Sequence, residues 1–290
     1  MAHARELTGT NENSPAATLI AYDLQAGSYV ASVEARPEYS DRWCDQLAGL
    51  LQPHVTEGCS VLEVGCGEAT TLAGVLRRLP RQPAAAYGFD LSWSRCAVGR
   101  EWLRSQGVSA ELFVGDLLAI PFADASIDVV YTSHSLEPNG GREEAALREL
   151  LRVARRAVVL VEPLYELAGE QAQARMRSHG YVRGLKAAAA RLGATVGDYR
   201  LLELSANPLN SSGVLVIAGN PPGRAPAGPR AGLWRCPLTA TPLAHLGDAL
   251  FSAGAGLAYP VLRGIPLLRA EHAVVANHLA APVSAVSAVA

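Results

Sequence analysis

Three carboxylates stand where apolar runs end. Glu63 closes on Val64-Gly65-Cys66-Gly67 after Val61-Leu62, Asp90 follows Tyr87-Gly88-Phe89, and Asp116 follows Glu111-Leu112-Phe113-Val114-Gly115. Gly65 and Gly67 can adopt backbone angles closed to other residues, and their missing side chains allow a ligand to lie against the main chain. A pyrophosphate would need a helix N-terminus, backbone N–H groups and no carboxylate nearby. Glu63 reverses that polarity and favours a cofactor with a positive end. Asp90 lies about 20 residues beyond the glycines, where doubly wound folds hold an acid that accepts hydrogen bonds from ribose hydroxyls. Asp116 is placed for an adenine amino group.

Acids so spaced must be held by strands alternating with helices. Ile127 to Ser133 reads as a fourth strand, running into His134-Ser135-Leu136-Glu137. Glu143 to Arg156 shows helical spacing, with Leu147, Leu150, Leu151 and Ala154 on one apolar side, and Ala157 to Glu162 reads as a fifth strand. Gln171 to Leu192 is expected to be mostly helical with a break near Gly180 and Gly184, and Tyr199–Leu204 with Val214–Ala218 to form a closing antiparallel pair. The alternation implies parallel βαβ units.

The series Glu63-Val64-Gly65-Cys66-Gly67, Gly88-Phe89-Asp90, Gly115-Asp116-Leu117, then Pro121-Phe122 with Ser126-Ile127-Asp128-Val129-Val130, resembles the class I S-adenosylmethionine-dependent methyltransferases over roughly residues 55 to 220. The resemblance implies an α/β fold: a doubly wound, mostly parallel, seven-stranded Rossmann-like sheet with S-adenosyl-L-methionine across the C-terminal strand ends. It places Glu63, Gly65 and Gly67 by the amino acid moiety, Asp90 by the ribose and Asp116 with Leu117 by the adenine. Leu91 and Ser133, at the ends of the second and fourth strands, complete the expected cofactor set. Ala69 stands where the glycine motif has its third small residue. Helices before the first strand often fold over the cofactor in this family, which makes Tyr22 and Tyr29 candidate lid residues; ordinary amphipathic packing is the other reading.

Methyl transfer from a sulfonium is an in-line displacement, so the protein supplies alignment, desolvation and sometimes a base. The fourth strand's end faces the transferable group in this fold. His134 could there deprotonate a hydroxyl acceptor, or simply bond its loop. Asn139 could orient an amine, or serve the Gly140-Gly141 turn. Tyr165, after Glu162-Pro163-Leu164, and Tyr181 are candidates to complete the pocket, and Asn207 to Ser212 is a further substrate-facing candidate. Three outcomes stay open. The leading one is methylation of a small molecule or glycan precursor in secondary metabolism. Alternatively, as in methyltransferase-like azetidine-2-carboxylate synthases, S-adenosylmethionine cyclises itself and releases methylthioadenosine, with Asn139, Tyr165, Tyr181 or Ser205 holding the amine inward. The third is a noncatalytic scaffold.

The chain has 290 residues, of which 49% are hydrophobic and 18% charged, enough for a packed core. A formal charge of −2 without a long basic run argues against nucleic acid as a partner. Neither a signal peptide nor a membrane-spanning run is visible, which points to the cytoplasm. The five cysteines are scattered without a CxxC pair, against a disulfide framework. The expected organisation is a tail and helical lid over 1–54, a cofactor domain over 55–220, a Pro/Gly linker over 221–232, a small β-rich module over 233–279 and a tail over 280–290. The module resembles the zinc-ribbon-like activators of methyltransferases. Only Cys236 of the cysteine pairs remains, with Thr239 where a partner would fall, so no metal is expected, and the module should pack on the domain or join a homodimer.

Overall fold

Runs such as Val129-Val130-Tyr131-Thr132 and Val158-Val159-Leu160-Val161 have no polar face, the pattern of strands covered on both sides. They form the middle of a sheet. The computed structural model describes residues 19–20, 22–205, 207–219 and 232–280. The expected first tail and nearly all of the linker and of the final tail lie outside the described residues.

In chain order the elements are α1 (Ser28–Ala35), α2 (Pro37–Leu51), β1 (Ser60–Val64), α3 (Thr70–Arg78), β2 (Ala85–Asp90), α4 (Trp93–Ser105), β3 (Glu111–Val114), β4 (Ile127–Ser133), α5 (Glu143–Val153), β5 (Ala154–Pro163), α6 (Glu170–Ser178), α7 (Leu185–Arg191), β6 (Val196–Leu201) and β7 (Ser212–Ala218). Seven strands make one sheet in the order β3-β2-β1-β4-β5-β7-β6. All neighbours are parallel except β7, which runs antiparallel to β5 and β6. The order reverses between β1 and β4, and such a switch point opens a crevice at the C-terminal strand ends. Glu63, Asp90, Asp116 and His134 all fall at that edge.

Pro37 occupies the first turn of α2, where its missing N–H is not needed, and separates α2 from α1. Several boundaries differ from expectation, and β5, β6 and β7 run over Ala154–Pro163, Val196–Leu201 and Ser212–Ala218. Helix α5 stops at Val153 rather than Arg156 because Arg155 and Arg156 are needed by the sheet: the Arg155 Nε donates to Asp128 Oδ1 at 2.9 Å, and the Arg156 carbonyl accepts from Gly219 N at 2.7 Å. Strand β6 starts earlier, at Val196, with a register shift between Val196 and Tyr199.

The C-terminal segment forms a second, five-stranded sheet from β8 (Ala244–Leu246), β9 (Ala249–Ser252), β10 (Leu257–Leu262), β11 (Ile265–Pro266) and β12 (Val274–Val275). It is fastened to the edge strand β3. Leu267 bridges Val114 in parallel, Leu268 N donates to the Val114 carbonyl at 2.8 Å, and Arg235 N donates to the Pro121 carbonyl at 2.9 Å. Trp234 enters the aromatic cluster of the main domain, 4.6 Å from Phe122 and 5.0 Å from Phe113 between ring centres. Cys236 faces the Tyr259 hydroxyl at 3.2 Å, and Thr239 faces Thr241. Among the described residues no group of three or more His, Cys, Asp or Glu is placed to hold a metal ion, and no helix is long and apolar enough to cross a membrane.

Candidate cofactor and acceptor site

The turn after β1 is built from left-handed residues. Gly65 and Gly67 have φ of +68° and +54°, and Ala69 follows at +54°. Ala69 therefore adopts the backbone that its position asks of a glycine, at a steric cost of about 1 kcal/mol, and α3 begins from it. The space that the two glycines leave is taken by protein. A Cβ on Gly65 would meet Ser135 at 2.4 Å, and one on Gly67 would meet the Tyr29 ring at 2.8 Å. Ser135 is tied down there by its hydroxyl, which donates to the Val64 carbonyl at 2.6 Å.

Asp90 locks this turn to the second strand. Its Oδ2 accepts from Gly67 N at 3.1 Å and its Oδ1 from Ser92 N at 2.9 Å, leaving acceptor capacity on each oxygen for a pair of hydroxyls. Burial raises its pKa against the pull of those N–H groups and the Arg95 charge. Leu91 beside it is exposed. Asp116 uses Oδ1 to accept from Leu118 N at 2.8 Å, with Leu117 buried next to it.

Glu63 is 2% exposed, and its Oε2 has no hydrogen-bond partner among the described residues. Burial pushes its pKa up to about 8, against the Tyr131 phenol and the Leu72 backbone. A buried acid with a free oxygen is a place for a cationic or ammonium group.

The segment before β1 roofs this turn. Glu68, fully buried, accepts three backbone hydrogen bonds from it: Gly27 N to Oε1 at 3.0 Å, and Tyr29 N and Val30 N to Oε2 at 3.0 and 2.8 Å. Asp23 caps α4, accepting from the Ser92 and Ser94 hydroxyls at 2.7 and 2.9 Å and from Ser94 N at 3.2 Å. The Arg95 guanidinium lies between the roof and the turn, 4.3 Å from the Tyr29 ring centre and 5.6 Å from that of Tyr22, with its Nε donating to the Tyr22 carbonyl. Its Nη1 is 3.7 Å from Glu68 Oε1, and neither terminal nitrogen has a hydrogen-bond partner among the described residues.

Beyond β4 a second polar group forms. His134 has φ of +57°, which turns its ring under Trp43, 5.6 Å away. Its Nδ1 contacts Glu137 Oε2 at 3.1 Å and its Nε2 contacts the Ser212 hydroxyl at 2.9 Å. Burial disfavours the imidazolium, but the Glu137 bond and the charges of Glu162 and Glu137 outweigh it, so the ring pKa is raised. Ser212 lies 3.2 Å from Ser205, and Asn210 Nδ2 donates to Glu137 at 3.2 Å. Glu162 accepts the backbone N–H groups of Ser135, Leu136 and Glu137, and burial pushes its pKa up to about 7. Ser133 is half-buried at the strand end. Asn139 Nδ2 bonds the carbonyls of Leu136 and Ser135, at 3.2 and 3.4 Å, which is turn geometry. Tyr165 and Tyr181 stand further out, each against arginines.

The geometry has the polarity of a nucleoside-sulfonium site: hydroxyl acceptors at β2, a buried acid at β1, and a roof. Residues 61–157 match the family of methyltransferase domains. These residues read as a methyltransferase domain. The methyltransferase segment is 34% identical, over 115 residues, to the ubiquinone/menaquinone biosynthesis C-methyltransferase UbiE of Dinoroseobacter shibae, a match covering 39% of this chain. The chain thus spans 44% of that relative's length. Among solved structures, a chain of the complex between the Haloferax volcanii Trm112 methyltransferase activator and the putative methyltransferase superposes with a TM-score of 0.50 at 15% identity, over 65% of this chain and 92% of that one. The magnesium protoporphyrin IX methyltransferase of Synechocystis PCC 6803 is similar at 14% identity over 63% and 84%, with a TM-score of 0.49. At 15% identity the first of these likenesses is one of fold. The family's cofactor is S-adenosylmethionine, and the orphaned oxygen of Glu63 and the two half-used oxygens of Asp90 suit its ammonium and diol. Glu68, Arg95, Asp23 and Trp43 had not stood out in the sequence. A charged residue inside a turn of small residues, as Glu68 is, was the available signal.

Proposed function

We propose that the methyltransferase domain moves the methyl group of S-adenosylmethionine to a small molecule, a glycan precursor or another intermediate of secondary metabolism. The observation that carries this reading is the roofed turn, where one buried carboxylate, Glu68, straps the segment from Gly27 to Val30 over the glycines that precede α3. A roof of this kind would help to exclude water from the cofactor and direct an acceptor to the polar group beyond β4, which suits a small molecule. Bound S-adenosylmethionine would supply an electrophilic methyl group. Glu63 would hold its ammonium, Asp90 its ribose hydroxyls, and Asp116 with Leu91 and Leu117 its adenine, while Tyr22 and Tyr29 would close the roof.

The chain's own part in the transfer is alignment and proton handling. Both ring nitrogens of His134 are engaged, so a proton leaving an acceptor hydroxyl would pass to His134 only as the Nε2 contact with Ser212 is exchanged for one with the acceptor. Glu137 would then stabilise the imidazolium. Asn139, Tyr165 and Tyr181 would shape the crevice wall. Incubation of the purified protein with S-adenosylmethionine, first alone and then with candidate acceptors, tests the reading by mass spectrometry. S-adenosylhomocysteine formed only with an acceptor is expected. Methylthioadenosine formed without one would replace methyl transfer by cyclisation, and failure to bind the cofactor in calorimetry would leave a scaffold.

A further inference from the structure

Several arginines among the described residues pair with a carboxylate, as Arg78, Arg152, Arg155 and Arg191 do. Three between β5 and β6 do not. Arg175, Arg177 and Arg183 form no ion pair with a carboxylate among the described residues, and instead lie against two tyrosines. The guanidinium carbons of Arg177 and Arg183 are both 5.8 Å from the ring centre of Tyr165, and Arg177 also donates to the Tyr165 hydroxyl at 2.5 Å. Arg175 lies 5.6 Å from the ring centre of Tyr181. The rings rest on a small apolar cluster of Ala168, Ala172 and Met176. Two acids nearby are bonded to backbone N–H groups: Glu143 accepts from Arg183 N at 2.9 Å, and Glu166 accepts from Gly184 N at 2.5 Å and from the Tyr199 hydroxyl.

This cluster is wired to the group beyond β4. Arg175 Nη1 donates to Asn210 Oδ1 at 2.5 Å, and Asn210 in turn donates to Glu137, the partner of His134. Val182 N donates to the Glu137 carbonyl at 3.0 Å and Gly140 N to the Gly180 carbonyl at 3.2 Å. A Cβ on Gly140 would lie 2.2 Å from that carbonyl oxygen, so the two loops meet without room for a side chain.

We infer that Arg175, Arg177 and Arg183, held on Tyr165 and Tyr181, form a binding site for a phosphate or diphosphate ester on the acceptor. The inference rests on the methyltransferase reading and names the acceptor's chemical class. One carboxylate would be matched by one guanidinium; three guanidinium groups held on two rings that share one apolar cluster, none of them in an ion pair among the described residues, suit a group carrying two or more negative charges. Guanidinium forks match phosphate oxygens in pairs, and stacking on a ring restricts their motion before the ligand arrives.

The test is calorimetry of the full chain with inorganic pyrophosphate as probe, with S-adenosylhomocysteine present throughout. Binding is expected in the wild type. The double variant Arg177→Gln/Arg183→Gln, altered at two exposed side chains, should bind pyrophosphate at least tenfold more weakly while its circular dichroism and S-adenosylhomocysteine affinity stay unchanged. Arg104→Gln, on α4, should bind both as the wild type does. Wild-type protein that binds S-adenosylhomocysteine but not pyrophosphate, or a double variant that binds pyrophosphate undiminished, would overturn the inference and leave methyl transfer standing. A single-stranded oligonucleotide that binds tightly while pyrophosphate does not compete would assign the patch to nucleic acid and equally overturn it. Wild-type protein without S-adenosylhomocysteine binding would instead overturn the parent reading.

Discussion

As the proposed holder of the cofactor's ammonium, Glu63 should make cofactor binding sensitive to pH. Its pKa of about 8 in the folded protein lies above the ordinary carboxylate value, so it is mostly protonated at neutral pH. An arriving ammonium favours the anion, and binding below pH 8 must release the proton. The affinity for S-adenosylhomocysteine should therefore rise with pH and level off above about 8, with proton release visible as a buffer-dependent heat. Glu63→Gln should lower affinity by about tenfold or more and flatten this dependence; an unchanged slope would remove Glu63 from the site. For stability the sign is opposite. A raised carboxyl pKa contributes stability that is present below the unfolded value and lost as pH rises through about 8. Glu63→Gln should cancel that loss in thermal melts. His134 also has a raised pKa, so its contribution is present below the unfolded value and lost as pH rises through the folded one. Ring resonances followed by NMR should titrate above the ordinary histidine range in the wild type and move down in Glu137→Gln.

At the scale of elements, the strap between Glu68 and the segment leading into α1 is the feature with the clearest consequence. Glu68→Gln leaves one acceptor oxygen for three N–H groups. Hydrogen exchange of the Gly27, Tyr29 and Val30 amides should speed up by at least tenfold, and cofactor affinity should fall; exchange rates equal to the wild type would show that the strap does not hold the roof. The strands and helices of the domain were readable in the sequence because the buried strands are apolar throughout and the helices keep a 3.6-residue period, as in Leu147, Leu150 and Val153. The acids at the strand ends were readable for the same reason. The strap was not, because its donors are backbone N–H groups, which carry no residue signature. The second polar group was legible only in pieces: His134 and the run from Asn207 to Ser212 are 78 residues apart at their contact, and only the antiparallel return of β7 beside β5 joins them. The end of α5 was missed because Arg155 and Arg156 suit a helix by type and are drawn into the sheet by Asp128 and Gly219.

For the whole molecule, the C-terminal module shares its core with the methyltransferase domain despite the Pro/Gly-rich stretch between them. Trp234, 8% exposed, stands among Phe113, Phe122 and Tyr87. Trp234→Ala should destabilise the entire chain by about 3–5 kcal/mol in a single transition by denaturant unfolding. Two separate transitions, with the first alone shifted, would mean that the module folds by itself. Leu267 and Leu268 meet Val114, the last residue of β3, just before Gly115-Asp116 at the expected adenine end. The module thus braces the strand that leads into Asp116, one of the acids proposed for the cofactor.

That brace has a colloidal side. Strand β3 is an outer strand of the main sheet, and unpaired backbone groups on such a strand can recruit the same strand from another molecule. Here Val114 gives its carbonyl to Leu268, and Trp234 fills the apolar ground beneath. A chain cut short before Leu233 would offer both the bare strand end and the aromatic cluster to its neighbours, and its first symptom would be self-association rather than lost chemistry.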